Sequence, residues 1–204
     1  MLASITPLGE RGRQSNWTVT VSAFLVGATT AGAAAGALLG AAGGLVLGEA
    51  PAADGSSGAR ARLAVMAVAL LVAVALDVMR AVPGPRRQVD ERWLDEFRGW
   101  VYGLGFGAQL GLGITTVVSS AATYVAMLAA FLTGSAWGGA LVLGCFGLVR
   151  GLTPLAAARV RRPDQLMSLH ARLDRWRAPA ARAWPALMTG ALVLAGVGSV
   201  GSHG

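Results

Sequence analysis

Few residues in this chain could carry chemistry. Cys145 is the single cysteine among 204 residues, so no intrachain disulfide can form and no dithiol pair can cycle. His170 and His203 are the two histidines, too few for a histidine-based metal site. No HExxH, GxSxG or Walker loop occurs. The run Gly103-Leu104-Gly105-Phe106-Gly107 lacks a preceding strand and cannot be a dinucleotide fingerprint. With no nucleophile–base pair and no metal cluster, the sequence predicts no catalytic residue, no cofactor and no enzyme activity.

The remaining polar residues lie inside apolar stretches. Gln109, Thr115, Thr116, Ser119, Ser120, Thr123 and Tyr124 give one stretch a polar content unusual for lipid contact, and Thr29 and Thr30 do the same for another. Two readings apply. The hydroxyls either bond back to their own helix carbonyls, or Gln109, Thr115, Thr116 and Ser119 line a path for a small solute. Asp77 and Arg150 are the charges nearest the middle of any apolar stretch. An interfacial ion pair between them would lower the desolvation cost of each, and snorkelling to the headgroup level is the alternative.

Those side chains must be positioned by the elements around them, and composition fixes their class. Hydrophobic residues make up 54% and charged residues 13%, with a mean hydropathy of +0.58. These values exclude a disordered chain and an ordinary soluble domain. A bilayer core needs roughly 20 apolar residues per helix. Residues 17–47, 63–82, 100–132, 136–158 and 184–200 meet or approach that length. The expectation is a single all-α integral membrane domain over residues 1–204: a polytopic helix bundle with about five transmembrane helices. Spans 17–47 and 100–132 exceed the need and must tilt, bend or extend into the headgroup zone. Pro154 should kink or end the fourth span near its inner end.

Charge placement tests that count. All 17 basic residues are arginine, against 10 acidic residues, giving a net charge of +7. With the N-terminus cytoplasmic, alternation along the five spans puts 15 arginines inside and leaves two outside, Arg60 and Arg62. This positive-inside pattern predicts a bacterial inner-membrane protein with a cytoplasmic N-terminus and a periplasmic C-terminus. The positive charge is then matched to anionic lipid, and nucleic acid is not an expected partner. Two cytoplasmic segments have helical apolar stripes: Val89, Trp93, Phe97 and Trp100 in one, and Leu166, Leu169, Leu173 and Trp176 in the other. They read as interfacial amphipathic helices, packing on the bundle or docking a partner.

Small residues recur every fourth position along two spans. Ala28, Gly32, Gly36, Gly40 and Gly44 form one row, and Gly103, Gly107, Gly111, Thr115, Ser119 and Thr123 form the other. Small residues permit close helix approach in lipid, so both rows have the pattern of a glycine zipper. They mark packing faces, or helices able to bend around a central path.

From Phe97 to Leu155 the chain resembles the cytochrome-c-biogenesis and disulfide-reductase transmembrane family, within the LysE-like transporter group. The resemblance rests on Arg98, then GLGFGAQLGLG, a hydroxyl-rich stretch, a short turn and a Gly-rich helix ending near Pro154. It implies a transporter-like helical fold. The family's electron carriers hold a cysteine, often beside proline, in each half. Here that zone reads Gly113-Ile114-Thr115-Thr116-Val117, without either residue, and the family's six spans exceed the five counted. Thiol chemistry is therefore not implied. Two functions are expected from the sequence: a transporter or exporter that passes a small solute between the Gly-lined first and third spans, near Gln109 and Thr115, or a non-catalytic subunit or assembly factor of a membrane complex. Expected partners are the lipid bilayer, other membrane subunits or further copies of the chain.

Overall fold

A computed structural model describes residues 6–12, 15–48, 57–79, 81–83, 97–113, 121–162, 164, 165, 167–169, 171–176, 179 and 183. All regular structure among them is helical. The helices are α1 (Pro7–Gly12), α2 (Trp17–Leu47), α3 (Ser57–Val78), α4 (Gly99–Leu112), α5 (Ala122–Leu132) and α6 (Ala136–Gly151), followed by a 3₁₀ turn, Thr153–Ala157. Three helical stretches are long and apolar enough to cross a membrane: Trp17–Leu47, Arg60–Val78 and Ala136–Ala157.

Helix α2 is the spine. Asn16 caps its start, with the side-chain oxygen accepting from the Thr18 N–H at 3.1 Å, which satisfies one of the orphan donors of the first turn. Gly48 closes its end at φ 75°. Thr29 and Thr30 turn their hydroxyls back onto the carbonyls of Leu25 (2.8 Å) and Val26 (2.7 Å). The self-satisfied reading is therefore the correct one for this pair.

The glycine rows explain how α2 is covered. A Cβ on Gly103 would lie 2.5 Å from the Thr20 carbonyl oxygen, one on Gly107 would lie 2.1 Å from that of Phe24, and one on Gly111 would lie 2.2 Å from that of Ala28. These meetings ascend together, so α4 runs parallel to the first half of α2. Helix α6 runs the other way. Gly32 faces the Leu143 carbonyl, Gly36 the Gly139 carbonyl and Gly40 the Ser135 carbonyl, with a Cβ at 2.5, 2.0 and 2.1 Å respectively. Gly36 and Gly139 are reciprocal, since a Cβ on either would sit 2.0 Å from the other's oxygen. No side chain fits in these positions, and backbone touches backbone.

Val21, Phe24, Tyr102 and Phe106 form the buried apolar cluster between α2 and α4, with Trp17, Leu25 and Leu110 around it. Gly134 (φ 61°) makes the turn from α5 to α6, and Ser135 caps α6 by accepting from the Gly138 N–H. Helix α6 ends at Gly151, and Pro154 sits in the first turn of the 3₁₀ segment. Its fixed φ and missing N–H suit that position, as the sequence predicts.

One expectation changes here. The stretch 100–132 is not one long helix: α4 ends at Gly113, which adopts the left-handed conformation (φ 75°), and α5 begins at Ala122. Glycine accepts that conformation without steric cost. The stretch 136–158 is α6 plus the 3₁₀ turn, with its apolar span ending at Ala157. The expected fifth span, 184–200, lies outside the described residues, as does most of the segment 86–100 expected to be amphipathic. Of the second such segment, residues 164, 165, 167–169 and 171–176 are helical, with Met167 and Trp176 exposed.

Candidate functional site

The break between α4 and α5 is where chain geometry departs most from regular packing. Gly111 meets Ala28 on α2, and Phe131 meets Gly43. Helix α5 runs antiparallel to α6 and so parallel to α2. At 1.5 Å per residue, its first turn lies about 13 Å back from Phe131, beside the middle of α2. Both helix ends therefore point into one zone halfway along the spine. They lie close together: a Cβ on Gly113 would be 2.9 Å from Thr123 Cγ2 and 3.4 Å from Met127 Cε. The C-terminal carbonyls of α4 bring partial negative charge to this zone, and the N-terminal amides of α5 bring partial positive charge.

Helix α3 supplies the charge that meets this zone. The Ala121 N–H donates to Asp77 Oδ1 at 2.8 Å, so a carboxylate caps the positive end of α5. The Tyr124 hydroxyl donates to the Pro83 carbonyl just beyond α3. At the opposite end of α5, Arg62 donates from Nη1 to the Leu132 carbonyl (3.4 Å) and from Nη2 to those of Gly48 (2.9 Å) and Leu47 (3.4 Å). One guanidinium thus closes the negative ends of both α2 and α5. Helix α3 is pinned to α5 at both ends by charges of the sign that the helix dipole favours.

The expected Asp77–Arg150 pair does not form. Asp77 is on α3, which packs against α5, whereas Arg150 is on α6, which packs against α2. The Arg150 guanidinium carbon lies 5.5 Å from the Phe146 ring centroid, in the range of a cation–π contact. Its Nη1 is sealed from solvent and has no hydrogen-bond partner among the described residues.

The other expected site residues divide as follows. Gly32, Gly36, Gly107 and Gly111 are packing positions, because their missing side chains are replaced by neighbouring backbone. No solute can pass between α2 and its neighbours at those points. Gln109 is half-buried on α4, about 200° around the helix from Gly107. It lies one turn before the break and faces away from α2. Thr115, Thr116, Ser119 and Ser120 lie outside the described residues. Thr123 is buried at the start of α5, against Gly113. Cys145 is exposed and free. No cluster of metal-ligating residues exists among the described residues.

A polar cluster that sequence reasoning missed lies at the Trp17 end. Glu10 of α1 has 0% exposure, Thr20 of α2 has 0% and Tyr102 of α4 has 1%. Thr20 Oγ1 donates to Glu10 Oε2 at 3.0 Å, and the Tyr102 hydroxyl donates to Glu10 Oε1. Charge-assisted bonds of this kind offset the desolvation of a buried carboxylate. Gly99 admits the cluster, since a Cβ there would lie 2.1 Å from Ser15 Oγ and 2.5 Å from Thr20 Oγ1. Glu10 and Tyr102 are 92 positions apart, so no periodicity links them. The one available signal was an acid placed shortly before the Asn16 cap, in a chain with few acids.

Comparison with protein-family models, with curated proteins and with solved structures returns no match to this chain.

Proposed function

We propose that this chain is an integral membrane protein of the bacterial inner membrane that passes a small solute through the zone where α4 and α5 are interrupted. The interruption halfway along α2 carries the reading. In lipid, helix ends leave backbone polar groups that need partners, and helix ends at membrane depth persist where they line a cavity or a binding point. Asp77 adds one full negative charge, while the two helix ends nearly cancel. That balance favours a small cation over an anion. Gln109 and the hydroxyls of Thr115, Thr116 and Ser119 are the polar groups of this stretch. The glycine rows act as a zipper that fixes the scaffold, with the path on the other side of α4. Arg62 and the Thr133–Ser135 turn face the periplasm, and the arginines near Trp17 face the cytoplasm.

The test is rubidium efflux from proteoliposomes, with chloride efflux as control. Asp77→Asn keeps a hydrogen-bond acceptor for Ala121 and removes the charge. Rubidium efflux should fall at least tenfold while the thermal midpoint of the purified chain is held. Unchanged efflux in both Asp77→Asn and Gln109→Leu removes the reading.

A second reading is a non-catalytic subunit or assembly factor of a membrane complex, and one observation favours it. Helix α3 packs mainly on α5 and leaves Leu63, Val65, Val68, Leu71 and Val72 about half exposed or more. Such a face suits lipid or the helices of a partner. Purification in mild detergent separates the two functions. A stoichiometric companion supports the subunit, and a chain that is monodisperse and conducts alone supports the transporter.

A further inference from the structure

We propose that the Trp17 end of the molecule carries a binding site for the phosphate group of an anionic phospholipid. Three pieces of chain converge there: α1, the corner that opens α2, and the segment beyond the 3₁₀ turn. They border an open cleft of about 510 Å³ lined by Arg11, Ser15, Asn16, Trp17, Thr18 and Arg161, among others. Arg11 and Arg161 come from parts of the chain 150 positions apart, and the fold brings both to one cleft.

The chemistry of the lining selects a phosphodiester. Guanidinium forks match phosphate oxygens in a bidentate manner. Thr18, exposed at the start of α2, offers a hydroxyl donor. The Asn16 side chain is committed to the Thr18 N–H, so it serves the fold. The start of α2 adds the partial positive charge of a 31-residue helix. Glu10, the acid adjacent to Arg11, does not line the cleft. It is fully buried and takes hydrogen bonds from Thr20 and Tyr102 instead. Trp17 borders the same cleft, and an indole ring is suited to the headgroup level. An open cleft beside an apolar helix fits a headgroup whose acyl chains remain in the bilayer. It does not fit a solute that must be enclosed.

This inference rests on the membrane reading above and is independent of transport. The experiment uses the purified full-length chain in detergent and follows its thermal midpoint. Phosphatidylglycerol, phosphatidylcholine and inorganic phosphate are added separately. Wild type is compared with Arg11→Gln/Arg161→Gln, with each single variant, and with Arg175→Gln. Arg175 is exposed, outside the cleft, and donates from Nε to the Ala171 carbonyl. Phosphatidylglycerol should raise the midpoint of wild type and of Arg175→Gln, while phosphatidylcholine and inorganic phosphate should not. The double variant should lose at least three-quarters of that rise, and each single variant about half. If the double variant does not fold, the two single variants decide by the same criterion. A rise retained in the arginine variants overturns the site. A rise reproduced by inorganic phosphate and abolished in the double variant assigns the cleft to soluble phosphate and overturns the lipid. Failure of the membrane reading would look different, since the chain would stay monodisperse in buffer without detergent.

Discussion

The packing around α2 and the contact between α3 and α5 are built on opposite principles. Along α6 and the first half of α4, helices meet through glycine, and the contact is backbone on backbone. Between α3 and α5, contact is made by polar latches: Asp77 on Ala121, Arg62 on three carbonyls, and Tyr124 on Pro83. The first arrangement tolerates no added atom. The second depends on a few polar groups and their backbone partners. Backbone packing thus surrounds α2, including Gly43 against the Phe131 carbonyl of α5, while polar latches join α3 to α5.

The largest break in this contrast should come from Gly36→Leu. Its Cβ alone would lie 2.0 Å from the Gly139 carbonyl oxygen, and the backbone cannot yield as a side-chain tip can. A loss of more than about 3 kcal/mol is expected, read as failure to recover a folded, monodisperse chain. Recovery at wild-type yield would refute the close approach of α2 and α6. Glu10→Ala should come next. It leaves the Thr20 and Tyr102 hydroxyls buried without their shared acceptor, and costs about 2–3 kcal/mol in detergent unfolding. Tyr102→Phe should cost less, about 1 kcal/mol, because Thr20 still donates to Glu10.

At the latches the effects on stability should be smaller and those on function larger. Asp77→Ala removes one helix cap, worth about 1 kcal/mol, and should reduce cation efflux far more than it shifts the thermal midpoint. If its midpoint falls as far as that of Gly36→Leu, the two kinds of contact are not distinct. Gly12→Ala should change stability least, by under about 0.5 kcal/mol. A Cβ there meets nothing within 4 Å, so it calibrates the glycine series.

Much of this architecture is legible in the sequence, for physical reasons. Spans 17–47 and 136–158 are read almost to the residue, because an uninterrupted apolar run bounded by Asn16 or Ser135 has one helical solution. The fourfold spacing of Gly32, Gly36 and Gly40 is visible, and so is its use in packing. The break at Gly113 is less visible, because glycine inside a Gly-rich helix has the same letter whether it packs or turns. The latches of Asp77 and Arg62 escape detection because their partners are backbone groups, which leave no residue-type signature. Glu10 escapes because burial of a lone acid is decided by hydroxyls on two distant helices. The Asp77–Arg150 expectation fails for a related reason. Shared depth along two helices does not make them neighbours, and α2 and α5, rather than the opposite charge, choose each partner.

The measurement that bears most directly on this account is thiol labelling in sealed membrane vesicles with a membrane-permeant, water-requiring maleimide. Single cysteines are placed in a Cys145→Ser background. Thr115→Cys lies between α4 and α5, and Leu38→Cys lies on the open face of α2, where the native side chain is 74% exposed. Thiolates react only where water reaches them. Rapid labelling at 115 with none at 38 is the predicted result, because the proposed path admits water to the stretch between Gly113 and Ala121, whereas Leu38 faces hydrocarbon. Labelling at 38 as fast as at 115, or none at 115, would contradict it.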